Sequence, residues 1–190
     1  MFKEETAVSG TRFSLGKLPV NRAKKTDWEK VYSLAKESKL EEIPPDIVVR
    51  YYGNLVRIGA QFARPEAIVR EVFVFCGPTG LGKSKRAWEE AGLDAYPKDP
   101  RTKFWDGYRG QEHVVMDEFR GSIDISHLLR WFDRYPVLVE IKGSAVVLKA
   151  KKIWITSNIH PKDWFVGLDD LTLKALLRRL RVTNFTPLGQ

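Results

Sequence analysis

The run Gly77-Pro78-Thr79-Gly80-Leu81-Gly82-Lys83-Ser84 fits the pattern G-x-x-x-x-G-K-[ST], and few short strings constrain a fold more tightly. It follows an apolar, strand-like run, Val72-Phe73-Val74-Phe75-Cys76, and leads into helix-compatible Lys85-Arg86-Ala87-Trp88-Glu89-Glu90. A strand, a glycine-rich turn and a helix in that order make a phosphate-binding loop. The glycines permit positive φ, so backbone N–H groups can converge on phosphate oxygens. Lys83 would reach the β- and γ-phosphates, and the Ser84 hydroxyl would ligate Mg²⁺. The helix that begins there offers its positive end to the same anion. The chain is therefore expected to bind a nucleoside triphosphate.

Beyond this loop, strand-like and helix-like segments alternate, which predicts an α/β fold with a parallel central sheet. Strands are expected at Val72–Cys76, Val114–Met116 and Ile153–Thr156. Val137–Ile141 and Ala145–Leu148 flank Lys142-Gly143-Ser144 and read as a β-hairpin. Upstream, Thr26-Asp27-Trp28-Glu29 has capping-box form, with Thr26 as the cap, and Trp28, Val31 and Ala35 follow at helical spacing. Pro45 opens a second helix carrying Ile47, Tyr51, Leu55, Ile58 and Phe62 on one face. Helices this short must pack on the downstream domain or on copies of themselves. The expected organisation is a basic arm over 1–25, a helical segment over 26–64 and an ATPase domain over 65–190.

With 190 residues and 43% hydrophobic content, the chain can bury a sizeable core. Its single cysteine, Cys76, excludes an internal disulfide and points to a reducing compartment. The charged start, Lys3-Glu4-Glu5, is not a signal peptide, and no apolar run is long enough to span a bilayer, so no membrane partner is expected. The net charge of +8 suits a polyanionic partner.

Val114-Val115-Met116-Asp117-Glu118 is an apolar strand ending in two acids. Asp117 suits the Mg²⁺ shell, and Glu118 suits orienting or deprotonating a water. Asn158 ends another apolar strand, where a polar side chain can sense a terminal phosphate; a strand-to-turn transition has the same residues. His113, His127 and His160 share no metal-ligand spacing.

Taken together, Gly77–Ser84, Phe104-Trp105-Asp106-Gly107-Tyr108, Val114–Phe119, Asp133-Arg134-Tyr135-Pro136, Glu140-Ile141-Lys142-Gly143, Ile155–Asn158 and Arg178-Arg179-Leu180 resemble superfamily 3 helicases. They resemble in particular the replication-associated proteins of circovirus-like circular single-stranded DNA viruses. The resemblance covers about residues 65 to 185. It implies an AAA+-like P-loop NTPase fold preceded by a small helical oligomerisation segment, and an ATP-hydrolysing DNA helicase acting in rolling-circle replication. ATP and Mg²⁺ are the implied cofactors, single-stranded DNA the implied partner, and a homo-oligomeric, hexameric ring the implied assembly.

The same resemblance makes Gly77, Pro78, Thr79, Gly80, Leu81, Gly82, Lys83 and Ser84 the nucleotide loop, with Ser84 and Asp117 at the metal. It makes Glu118 the residue of the lytic water, Asn158 the sensor, and Arg178 or Arg179 a finger reaching the neighbouring subunit's nucleotide. Lys142 and Gly143 match a hairpin tip that grips DNA in the ring's channel. Lys149, Lys151 and Lys152 extend its charge. Phe104–Tyr108 belongs to the family pattern without an assigned chemistry; sheet-edge packing and an Asp106-Gly107 turn are expected.

The family's nicking endonuclease needs a His-rich motif and a Tyr-x-x-Lys motif, and every histidine here lies downstream of the loop. No nicking activity is expected, and Met1–Thr6 resembles the sequence just around that nucleophile's Lys, as in a fragment cut there. The host nucleus is the location the resemblance implies. An RNA helicase or a protein-remodelling NTPase remains the alternative, because the motifs alone do not separate DNA from RNA.

Overall fold

The computed structural model describes residues 26–187. The basic arm expected over 1–25, including Lys3 and the Arg22–Lys25 cluster, lies outside them. Two helices come first, α1 (Trp28–Lys36) and α2 (Pro45–Phe62), joined through a short 3₁₀ turn at Leu40–Glu42. They meet through Val31, Ala35, Ile43, Ile47 and Leu55, a cluster of their own. Gly59 allows the close crossing, since a Cβ there would lie 3.1 Å from the Ala35 carbonyl oxygen.

Asp27, not Thr26, caps α1, because its carboxylate accepts the Lys30 N–H at 3.0 Å. Tyr51 and Phe62 do not join the buried face of α2: the helix is kinked at Tyr51, and both rings are exposed. They pack edge-on against Trp28 and Tyr32, which are exposed as well. The unit therefore shows solvent an aromatic face.

The remaining elements are β1 (Glu71–Cys76), α3 (Lys83–Ala91), β2 (Tyr96–Pro97), β3 (His113–Met116), α4 (Ile125–Trp131), β4 (Leu138–Ile141), β5 (Ser144–Val147), β6 (Lys152–Ser157), α5 (Asp170–Leu177) and β7 (Leu180–Asn184). The main sheet runs β2-β3-β6-β1-β7 and every pairing in it is parallel. Parallel strands need covering on both faces, and the sequence supplies it by alternation. Val72, Val74, Val114, Met116, Ile153 and Ile155 face one core with Leu128, Trp131 and Leu176. Phe75, Val115 and Trp154 face the other, under Ala87 and Ala91 of α3. This is an α/β P-loop NTPase fold, as the sequence predicts.

Strands β2 and β7 were not anticipated. The first is a two-residue bridge with a proline, and the second alternates without a continuous apolar run, as an edge strand does. The β4–β5 hairpin pairs antiparallel as its own sheet, apart from the main one. Among the described residues, no helix is long and apolar enough to cross a membrane.

Beside the hairpin, Trp105 stacks on Tyr96 and meets Tyr108 and Trp131 edge-on. Into this cluster runs Lys98, only 2% exposed. Its ammonium lies 5.5 Å from the Trp131 ring centroid and donates to the carbonyls of Asp99 and Thr102. Burial pushes its pKa down to about 8 from an ordinary 10.5. Between those values the unfolded chain holds a proton that the folded one has released, so stability rises with pH across that window. Tyr96 and Tyr108, pushed up to about 12 by burial, work the other way once unfolded phenols ionise above their ordinary 10.0. Urea unfolding from pH 8 to 10 is expected to show the rise, and Lys98→Met to remove most of it. An equal rise in both proteins would contradict this account.

Candidate functional site

The loop Gly77–Ser84 leaves the C-terminal end of β1 and turns into α3. Its shape depends on glycine at two kinds of position. Gly77 has φ 145° and packs against β7's exit, where a Cβ would lie 2.2 Å from the Phe185 carbonyl oxygen. Gly82, at φ 79°, sits in the left-handed region just before the helix. Lys83 is buried, with its ammonium folded back onto the carbonyls of Gly77 at 2.8 Å and Pro78 at 2.7 Å.

The parallel register brings the ends of β1, β3 and β6 to this loop. Ser84 Oγ donates to Asp117 Oδ1 at 2.7 Å. The same carboxylate oxygen accepts from the Thr156 hydroxyl, and that hydroxyl in turn accepts the Glu118 N–H at 2.9 Å. Glu118 takes a left-handed backbone, φ 54°, which non-glycine residues rarely adopt. That turn aims Asp117 and Glu118 differently: Asp117 is half-buried on Ser84, while Glu118 is exposed, 3.9 Å from Arg120. Next along β6, Ser157 Oγ donates to the Phe119 carbonyl at 2.7 Å and accepts from Ile159 N–H and Trp164 Nε1. The loop carrying Asn158 is thus pinned to the loop carrying Glu118.

The loop, Glu118 and Asn158 surround one cavity of about 240 Å³, lined by Gly80, Lys83, Ser84, Glu118, Thr156 and Asn158 among others, with Asp117 behind it, bonded to Ser84 and Thr156. Its walls suit a triphosphate and a hard divalent cation. They offer backbone N–H groups at a helix start, one buried ammonium, and a hydroxyl and carboxylate in contact. The sequence singled out every one of these groups except Thr156, which it treated only as part of a strand. A hydroxyl directly after the buried apolar run Ile153-Trp154-Ile155 was the available signal.

The expected hairpin tip, Lys142 and Gly143, stands exposed between β4 and β5. Lys151, one of the lysines thought to extend its charge, is instead paired with Glu112 at 2.6 Å. Arg178 and Arg179 are not at the cavity at all. Leu180 pairs with Val72, at the opposite end of β1 from the loop. The gap is roughly 15 Å at about 3.3 Å per residue. The two arginines also differ. Arg179 is half-buried and bonded to Asp133 at 2.5 Å, which holds that carboxyl below its usual range. Arg178 is exposed and has no ion pair among the described residues. His113 bonds the Ala91 carbonyl, and His127 stacks on Trp131.

A family model described as RNA helicase matches residues 73–159, the stretch from β1 to just past Asn158. The replication-associated protein of Goose circovirus is 46% identical over 143 residues, covering 71% of this chain and 48% of that protein. The replication-associated protein of Porcine circovirus 1 is 35% identical over 175 residues, covering 88% of this chain and 56% of its own length. The chain carries a circovirus-type Rep helicase domain. It spans about half the length of the curated relatives it matches. Among solved structures, the S. cerevisiae Hsp104-ADP complex overlaps with a TM-score of 0.42 at 16% identity, covering 87% of this chain and 37% of that one.

Within this helicase domain, Thr156 is the residue on which the acidic turn hangs. Thr156→Val keeps the shape but leaves the Glu118 N–H without its acceptor and the Asp117 carboxylate with Ser84 alone of its two hydroxyl donors, a loss of about 1–3 kcal/mol for the buried group. The variant is expected to fold and to bind nucleotide, while hydrolysis falls about tenfold or more. Steady-state phosphate release beside nucleotide titration checks this; wild-type turnover would mean that the hydroxyl only packs.

Proposed function

We propose that this chain is an ATP-driven DNA translocase, the helicase motor of rolling-circle replication of a circular single-stranded DNA genome, hydrolysing ATP between subunits of a hexameric ring. The observation that carries the reading is the separation of the two charged sites along the sheet. The cavity with Lys83, Ser84, Glu118 and Asn158, and Asp117 bonded to Ser84 beside it, lies at the C-terminal ends of the strands. A groove of about 520 Å³ with Arg70, Arg134, Arg178, Arg179 and Arg181 lies at the other. An arginine there cannot serve its own cavity, but it can serve a neighbour's.

In this reading the loop N–H groups and Lys83 hold the ATP phosphates, and Lys83 exchanges its two carbonyl acceptors for phosphate oxygens. Ser84 and Asp117 would hold Mg²⁺, which supplies charge neutralisation at the β- and γ-oxygens. Glu118, exposed on its left-handed turn, orients and deprotonates the attacking water, and Asn158 aligns it against the γ-phosphate. Arg178 of the adjoining subunit meets the charge that develops as the bond breaks. Arg179, spent on Asp133, fixes the segment that presents Arg178. Lys142 then tracks a phosphate backbone, one lysine per subunit, without reading sequence. The exposed aromatics of α1 and α2 give neighbouring subunits a surface to share. The matching model's description favours keeping RNA as the second substrate reading.

The test is ATP hydrolysis across protein concentration, with and without single-stranded DNA or RNA. Activity should rise more steeply than protein and rise again with DNA. Lys83→Ala and Arg178→Ala should each lose about a thousandfold. Mixing the two inactive proteins should restore part of the activity, since some interfaces then join an intact Lys83 to an intact Arg178. No recovery on mixing, with both variants folded, would sink the shared-site reading.

A further inference from the structure

The segment Trp105–Tyr108 touches the β4–β5 hairpin at three heights. Trp105 N–H donates to the Glu140 carbonyl at 2.8 Å, on the outgoing strand. Asp106 Oδ1 accepts the Lys142 N–H at 2.8 Å, at the tip. Tyr108 Oη accepts the Lys149 N–H at 3.0 Å, beyond the returning strand. The segment is itself fixed: Trp105 is 1% exposed within the aromatic cluster, and Tyr96 Oη donates to the Asp106 carbonyl at 2.8 Å. Val139 and Leu148 anchor the hairpin in the main core, and this clasp adds hydrogen bonds along its length up to the tip.

Asp106 also does something the rest of the clasp does not. Its second oxygen, Oδ2, stands 3.6 Å from the Lys142 ammonium, and both side chains are open to solvent, 44% and 79% exposed. We propose that Asp106 is a positioning residue with a placeholder role: Oδ1 holds the hairpin tip, while Oδ2 occupies the Lys142 ammonium until a phosphodiester of a single strand displaces it. The two oxygens divide the work. The backbone bond is compatible with a strand lying on the tip, because it uses the Lys142 N–H and not its ammonium. The ion pair is not, since a phosphate must take the same cation. An exposed pair is worth little, so the exchange is easy, and each subunit can let go of a strand as readily as it takes one.

This inference rests on the hairpin being the nucleic-acid contact, and the experiment separates the two. Binding of fluorescein-labelled oligothymidylate and oligouridylate to the full chain would be followed by anisotropy, with a non-hydrolysable ATP analogue present. Asp106→Asn keeps an oxygen for the Lys142 N–H and removes the competing charge. It should tighten binding about threefold at low salt, with the gain fading as salt rises. The gain should appear on both oligonucleotides, because the shared group is the phosphodiester. In a Lys142→Ala background the same substitution should gain nothing. Unchanged or weaker binding by Asp106→Asn overturns the placeholder role. So does an equal gain without Lys142, which would mark a general charge effect, or a gain on one oligonucleotide alone. If Lys142→Ala itself leaves binding untouched, the hairpin reading fails, and the inference with it.

Discussion

The Thr156 hydroxyl donates to Asp117 and accepts from the Glu118 amide, while Ser84 donates to the same Asp117 carboxylate. Through that one chain of hydrogen bonds the ends of β1, β3 and β6 become a single surface. The pairings that allow it are all parallel, so every strand delivers its C-terminal residue to the same edge of the sheet. Removing the register would scatter the ammonium, the acids and Asn158. The left-handed backbone at Glu118 is the local cost of turning two adjacent carboxylates to different tasks, and the Thr156 and Phe119 anchors hold it.

The same parallel arrangement sets the opposite edge. With Leu180 beside Val72, the helix end carrying Arg178 and Arg179 must lie at the far side from the phosphate loop. In the proposed ring, that arginine edge would meet a neighbour's nucleotide. The pairing of Arg179 with Asp133, and of buried Arg70 with the carbonyls around it, leaves Arg134 and Arg178 as the exposed cations of that groove without such a bond among the described residues. The hairpin follows a related logic: its lysine is held ready by a carboxylate on a rigid aromatic mount.

Much of this was legible in the residues. The glycine-rich loop, the strand ending in Asp117-Glu118, the β6 strand ending at Asn158 and the hairpin around Lys142 each carry a local signal, and each lies where that signal put it. The failures have equally local causes. Thr26 and Asp27 are both good caps, and sequence does not say which one the chain leaves extended. Tyr51 and Phe62 fit an unbroken helical stripe, but the kink rotates the helix and sends both rings to solvent. A two-residue strand such as β2 has no period to detect, and β7 shows its partner only when β1 lies beside it.

What the sequence determined by itself was chemistry carried by contiguous residues: a triphosphate loop, an acidic strand end, a basic hairpin tip and a chain able to cover a parallel sheet on both faces. Those follow from short-range geometry, which neighbouring residues fix among themselves. The tertiary structure alone decided which groups meet across long separations. It joined Thr156 to Asp117 and Glu118, Arg179 to Asp133, and Asp106 to Lys142. Each of these is a hydrogen bond between residues far apart in the chain, and nothing in either local sequence names its partner.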